Sequence, residues 1–249
     1  MLAASLGLYA ISRMVEVQLV FAERRNNFVS AVTHELRTPL TSIRMYGEML
    51  RDGMVQDEQT KREYYATITA EGERLTRLIN NVMEHGKLRR GQRHAHLERG
   101  DVLRVVREVL ELMQPHIARE GFSLQLSASE PLPTVQLDVD ALKQTLFNVL
   151  DNALKYGRGE REAKIDIHCA PDADAVLVSV RDYGSGVADS QLSTLFEPFY
   201  RGGDELTRRQ QGTGLGLALV RDLVGLMRGS VHALNRTPGF EVRIRLRAA

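Results

Sequence analysis

QGTGLGLALV, residues 211–220, sets glycines at every second position (212, 214, 216) ahead of an apolar run. The stretch reads as a loop opening onto a buried helix. Backbone amides of such a loop, backed by the helix dipole, favour phosphate. Spacing excludes two familiar nucleotide loops. A dinucleotide fingerprint needs G-x-G-x-x-G directly after a strand, whereas here the pattern is G-x-G-x-G and polar RRQQ precedes the glycines; the P-loop string G-x-x-x-x-G-K-[ST] occurs nowhere. A nucleotide held by this loop requires a third fold.

The surrounding residues indicate which fold. FSLQLSA (122–128), AKIDIHCA (163–170), AVLVSVRD (175–182), GSVHALN (229–235) and FEVRIRLR (240–247) alternate as strands, while Val102, Val105, Val106, Val109 and Leu110 define one helix and residues 139–156 another. The expected product is a mixed sheet with helices on one face, an α+β sandwich. The strand 175–182 runs into DYGSG (182–186): Asp182 at the strand end can accept a hydrogen bond from an exocyclic amine, and Gly184 and Gly186 let the chain leave the sheet. Taken alone, a plain turn explains DYGSG better. On the helix 139–156, Asn148 and Asn152 lie four apart and share a face, where two amide oxygens suit a hard cation such as Mg²⁺. Lys155 and Tyr156 follow one turn later, where a cation can meet a phosphate and a ring can lie against a base. Surface asparagine pairs are common, so this signal is weak by itself.

The first third is helical instead. Phe28, Val32, Leu36, Leu40 and Ile43 recur at helical spacing, and after the turn RDGMVQDE the series Tyr65, Ile68, Gly72, Leu75, Ile79 and Val82 is heptad-like. A helical hairpin with one wide apolar face cannot bury it alone, so a homodimeric four-helix bundle is expected. On the first helix lies THELRTPL (33–40), a histidine beside a glutamate, with Pro39 removing the amide that the Glu35 carbonyl would otherwise accept. His34 and Glu35 begin an H-E-x-x-H zinc string, but position 38 is threonine, so the second ligand is missing. A structural histidine is the bland reading of His34 in isolation.

The 249 residues carry 33 Lys and Arg against 32 Asp and Glu, so no cationic field gathers nucleic acid. The single cysteine, Cys169, sits among alternating apolar residues, as a buried, reduced thiol would. At the amino terminus Arg13 interrupts MLAASLGLYAI well short of the roughly 20 residues of a bilayer span. Two readings are balanced there: the cut end of a membrane helix, or an amphipathic helix that pairs with its copy. The run GKLRRGQRHAHLERGD (86–101) lacks apolar period and reads as a linker.

Together, VTHELRTPL, NVLDNALKYG, DYGSG, LFEPFYR and GTGLGLALV, in this order, resemble the H, N, G1, F and G2 boxes of two-component sensor histidine kinases, over about residues 24–248. The resemblance implies a truncated membrane-proximal or signalling helix (1–22), a dimerisation and phosphotransfer hairpin (23–88), a linker (89–100) and a Bergerat-type ATP-binding domain (101–249). It implies that His34 is the phosphoacceptor and Glu35 its helper, with a carboxylate able to fix the ring tautomer or accept its proton. It makes Asn152 the main Mg²⁺ ligand with Asn148 assisting, Lys155 a phosphate contact, Tyr156 a base or ribose contact, and Asp182 the adenine reader. Gly184, Gly186, Gly212, Thr213, Gly214, Leu215 and Gly216 would shape the ATP pocket. Residues 187–211, with Arg201, Arg208 and Arg209, would form a mobile lid anchored by Phe196 and Phe199.

The implied partners are a second copy and a response regulator receiver domain, with a membrane possible through a region ahead of residue 20; the chain is then the cytoplasmic catalytic region of an inner-membrane sensor. Thr38, one turn after His34, would position water for dephosphorylating the regulator; the competing reading is a hydroxyl bonded back to an earlier carbonyl. Gyrase-, Hsp90- and MutL-like ATPases share the fold but place a water-activating glutamate four residues before the metal-binding asparagine. Here that position is Asn148, and an amide is no general base. A catalytically dead scaffold is disfavoured, since every residue needed for transfer is present.

Overall fold

The computed structural model describes residues 2–157, 163–198, 200 and 214–249. The chain divides into two compact units, the first running to Val82 and the second beginning at Met83.

The first unit is a helical hairpin. Helix α1 (Leu2–Arg51) passes through Pro39 without interruption, and α2 (Glu58–Arg89) follows a turn at Gly53. The turn is sealed at both ends: the Met54 N–H reaches the Met49 carbonyl at 3.1 Å, and Asp57 caps α2 by accepting from the Thr60 N–H at 2.8 Å. Residues 2–22 continue into α1 without a break. No helix among the described residues is long and apolar enough to cross a membrane. The stripe read from periodicity as a buried face is open in the single chain: Leu40 and Tyr65 are each 58% exposed and Ile79 is 46% exposed.

The second unit is a helix-backed sheet. Helix α3 (Val102–Arg119), strands β2 (Ser123–Ala128) and β3 (Val135–Leu137), helix α4 (Val139–Tyr156), strands β4 (Lys164–Asp172) and β5 (Ala175–Asp182), helix α5 (Gly216–Leu226), and strands β6 (Ser230–Asn235) and β7 (Phe240–Arg247) follow in order. The five-stranded sheet has the order β2-β4-β5-β7-β6; β2 lies parallel to β4 and the other pairs are antiparallel. Ile165, Ile167, Val176, Val178, Val180, Val242, Ile244 and Leu246 point to one face and pack against the three helices. Cys169 is buried among them, and that burial raises its thiol pKa to about 11, which makes it unreactive. The other face is polar. It carries a groove of about 360 Å³ bordered by His168, Arg181, Arg236, Glu241 and Arg243, where Arg236 and Arg243 both bond Glu241.

The segment expected to be a linker is more ordered than its composition suggested. Helix α2 extends to Arg89 and closes on Gly91, whose φ of 64° suits a residue without a side chain. The N–H of Gln92 then bonds the Lys87 carbonyl at 2.9 Å. A short strand β1 (Glu98–Gly100) pairs antiparallel with β3. Between them Arg93 bridges Glu84 at 2.9 Å and Asp138 at 3.5 Å. Polar staples replace an apolar period here, so periodicity had nothing to detect.

At the end of α2, His85 is buried with its Nδ1 3.9 Å from Asp222 Oδ2 on α5. Burial pulls its pKa below the ordinary histidine value, Asp222 opposes this, and Arg89 and Arg221 reinforce it. The unfolded chain therefore takes up this proton more readily than the folded one. No penalty exists above the ordinary range, and stability is lost as pH falls through about 6.5 towards the lower folded value. Circular-dichroism melting is expected to show the wild-type midpoint falling over that window more than that of His85→Gln; parallel midpoints would refute the assignment.

Candidate active site

The pleat of β5 positions Asp182. It continues the inward row Val176, Val178, Val180, so its carboxyl lies on the helix side of the sheet and is 5% exposed. One oxygen accepts the Gly184 N–H at 3.0 Å. Burial raises its pKa above the usual carboxylate value, against the backbone hydrogen bonds from Gly184 and Phe240 and the charge of Arg181. The wall around it is backbone. A Cβ on Gly184 would lie 2.2 Å from the Tyr156 carbonyl oxygen, and one on Gly239, whose φ is 107°, would lie 1.9 Å from the Asp182 carbonyl oxygen. Only glycine permits these approaches. Past Gly186, Asn235 fixes the loop by accepting from the Val187 N–H at 3.0 Å and donating to the Val187 carbonyl at 2.7 Å.

Asp138 caps α4 by accepting from the Ala141 N–H at 2.9 Å. On that helix Asn148 is 8% exposed, and its amide donates to the Gln144 carbonyl at 2.8 Å. That bond turns Oδ1 outward. Asn148 Oδ1 lies 3.7 Å, and the Asn152 amide atoms 3.6 and 3.7 Å, from where a Gly216 Cβ would stand. Gly216 is the first residue of α5, which has no side-chain cap, so its first-turn amides and positive dipole end stand beside two amide oxygens. Leu215 is buried, and Gly214 has a φ of 69°. Amide oxygens next to helix-terminal N–H groups fit a magnesium–polyphosphate group, and the enclosed Asp182 carboxyl fits an amino-bearing base.

One expected contact is engaged elsewhere, and another stands exposed. The Lys155 ammonium bonds Asp151 one turn back at 2.6 Å, so it must leave that partner to meet phosphate. Tyr156, at the end of α4, is 45% exposed. Phe196 is buried at 9% exposure. Arg201, Gly212, Thr213, Phe199, Arg208 and Arg209 lie outside the described residues.

On the hairpin, His34 is exposed and Glu35 is 8% exposed. Successive helical residues point about 100° apart, and the two side chains follow that geometry. The Glu35 carboxylate accepts from Arg74 Nη2 on α2 at 3.1 Å instead of from the His34 ring. Thr38 Oγ1 donates to the His34 carbonyl at 3.3 Å, the back-bonded arrangement that competed with a role for it.

The His Kinase A (phospho-acceptor) family matches residues 24–91, and the Histidine kinase-, DNA gyrase B-, and HSP90-like ATPase family matches residues 137–249. The chain belongs to the two-component sensor histidine kinases. It is similar to the Non-motile and phage-resistance protein of Caulobacter vibrioides, 31% identical over 92% of this chain and 28% of that protein. It is likewise similar to Sensor protein kinase WalK of Staphylococcus aureus, 29% identical over 91% of this chain and 54% of WalK. Among solved structures, full-length ShkA in complex with AMPPNP is similar with a TM-score of 0.61 and 26% identity, over 90% of this chain and 46% of ShkA. The histidine kinase chain thus spans between about a quarter and about half of these relatives' lengths.

Sequence reasoning missed Gly239, Asn235, Asp138 and Arg74. Gly239, Asn235 and Arg74 act from 39 or more residues away on partners that no local pattern connects, as with Asn235 on Val187 (a separation of 48), whereas Asp138 caps Ala141 only three residues on.

Proposed function

We propose that the chain is an ATP-dependent protein-histidine kinase that phosphorylates His34 and passes the phosphoryl group to an aspartate of a response regulator receiver domain. The observation that carries the reading is the convergence of Asn148, Asn152 and the N-terminus of α5, with Asp182 enclosed at the end of β5. Bound there, ATP with Mg²⁺ supplies a γ-phosphoryl group whose charge is partly neutralised. Asn152 holds the metal with Asn148 assisting, Asp182 reads the adenine amine, and the α5 amides bear on the phosphates. His34 offers an exposed ring nitrogen as nucleophile, and Glu35, on leaving Arg74, takes the proton from the other one. Asn148, its amide committed to Gln144, does not activate water, which favours transfer over hydrolysis.

The open stripe containing Leu40, Tyr65 and Ile79 supports a homodimeric four-helix bundle. The proposed setting is the cytoplasmic region of an inner-membrane sensor. Incubation with γ-labelled ATP and Mg²⁺ is expected to yield an acid-labile, alkali-stable label; an acid-stable label would reject histidine as acceptor.

Thr38 carries a second activity in this reading, orienting water against the phosphorylated regulator. Its hydroxyl now bonds the His34 carbonyl and would turn towards a docked regulator. Thr38→Ala is expected to keep autophosphorylation while slowing release of phosphate from the regulator on the order of 10²-fold. Equal release rates would leave the hydroxyl with its helical back-bond alone.

A further inference from the structure

The Glu35 carboxylate has two neighbours with a claim on it, and only one is a base's substrate. It is 8% exposed and paired with Arg74, whose side chain is 33% exposed, at 3.1 Å across the hairpin. From α2 the charged groups at this point are Arg74 and Glu71, the latter 3.7 Å from Arg74 Nη1. On α1, His34 and Arg37 face solvent. A carboxylate this deep needs a counter-ion or a proton, because burying an unpaired charge is strongly unfavourable. The same counter-ion keeps it from the His34 ring, which lies about 100° around the helix.

We infer that Arg74 is a positioning residue: it holds the Glu35 carboxylate within the hairpin and competes with the His34 ring for it. The inference rests on the reading of Glu35 as the helper of His34. During transfer the attacking nitrogen forms the N–P bond, the bond from the γ-phosphorus to the ADP oxygen breaks, and the proton on the other ring nitrogen passes to Glu35. Glu35 must leave Arg74 to receive it. Arg74 is therefore a restraint on the group that takes the proton.

The test is the initial autophosphorylation rate and the KM for ATP of the full chain, with Arg74→Met, Arg74→Lys and Glu35→Gln in parallel. Arg74→Met is expected to be about fivefold faster than wild type, corresponding to about 1 kcal/mol. The KM for ATP should not move, and Arg74→Lys should restore most of the wild-type rate. A folded Arg74→Met with a rate equal to or below wild type would show Arg74 to be merely structural and overturn the inference, provided that Glu35→Gln is slow. Glu35→Gln at the wild-type rate would instead remove the reading of Glu35, and the inference with it. If Arg74→Met does not fold, failure of Arg74→Lys to keep the wild-type rate in a folded protein overturns the proposal by itself.

Discussion

His34→Gln is expected to abolish the acid-labile label while leaving nucleotide binding unchanged. Glutamine keeps the length and polarity of the side chain but has no nitrogen lone pair able to attack phosphorus at neutral pH. The position tolerates the change structurally, because His34 is exposed on α1. Loss of a nucleophile removes the reaction path outright, so labelling should fall to background, a loss of about 10⁴-fold or more. Binding of a fluorescent ATP analogue, measured on the same preparation, separates this from misfolding. Label persisting in His34→Gln would move the acceptor to another side chain.

Asn152→Asp should be nearly as severe for a different reason. The two side chains have the same shape, and Asn152 is partly exposed beside the first residue of α5, so the fold and its melting temperature should survive. What changes is charge. A carboxylate where an amide stood sets a negative group among phosphate oxygens and removes the amide N–H donors, altering how metal and phosphates sit together. Removing one well-placed electrostatic group at such a site costs about 10²–10³-fold in rate. Raising Mg²⁺ is not expected to restore it. Wild-type labelling by Asn152→Asp would show that the metal is held elsewhere.

Local periodicity carried most of the fold. The helix expected over 139–156 is α4 as observed (Val139–Tyr156), and the alternation of AVLVSVRD marked the strand that ends at Asp182. What could not be read had no period to read. Strands β1 and β3 are three residues each, too short to show alternation. The amphipathic pattern of α1 is clear only from about residue 20, whereas the helix itself runs unbroken from Leu2 through the stretch read as a separate helix over 1–22. The glycine boxes announced themselves, but the walls of the Asp182 site include Gly239, 57 residues further on, because β7 pairs with β5 and brings Gly239 beside Asp182. Glu35 was legible as a helper and Arg74 was not, since they meet across a hairpin 39 residues apart.

The two oxygens of Asp138 divide their labour. Oδ1 starts α4 by capping Ala141 at 2.9 Å, while Oδ2 takes the His96 N–H at 3.0 Å and Arg93, which in turn grips Glu84 near the end of α2. In mechanical terms Arg93 is a tie rod pinned at Glu84 and Asp138, and the segment 90–97 hangs from it as a strap. A pull on α2 beyond Met83 is therefore delivered to the cap of the helix that carries Asn148 and Asn152. Such a cap is worth about 1 kcal/mol, which bounds the message at about a fivefold change in how often the first turn of α4 is formed.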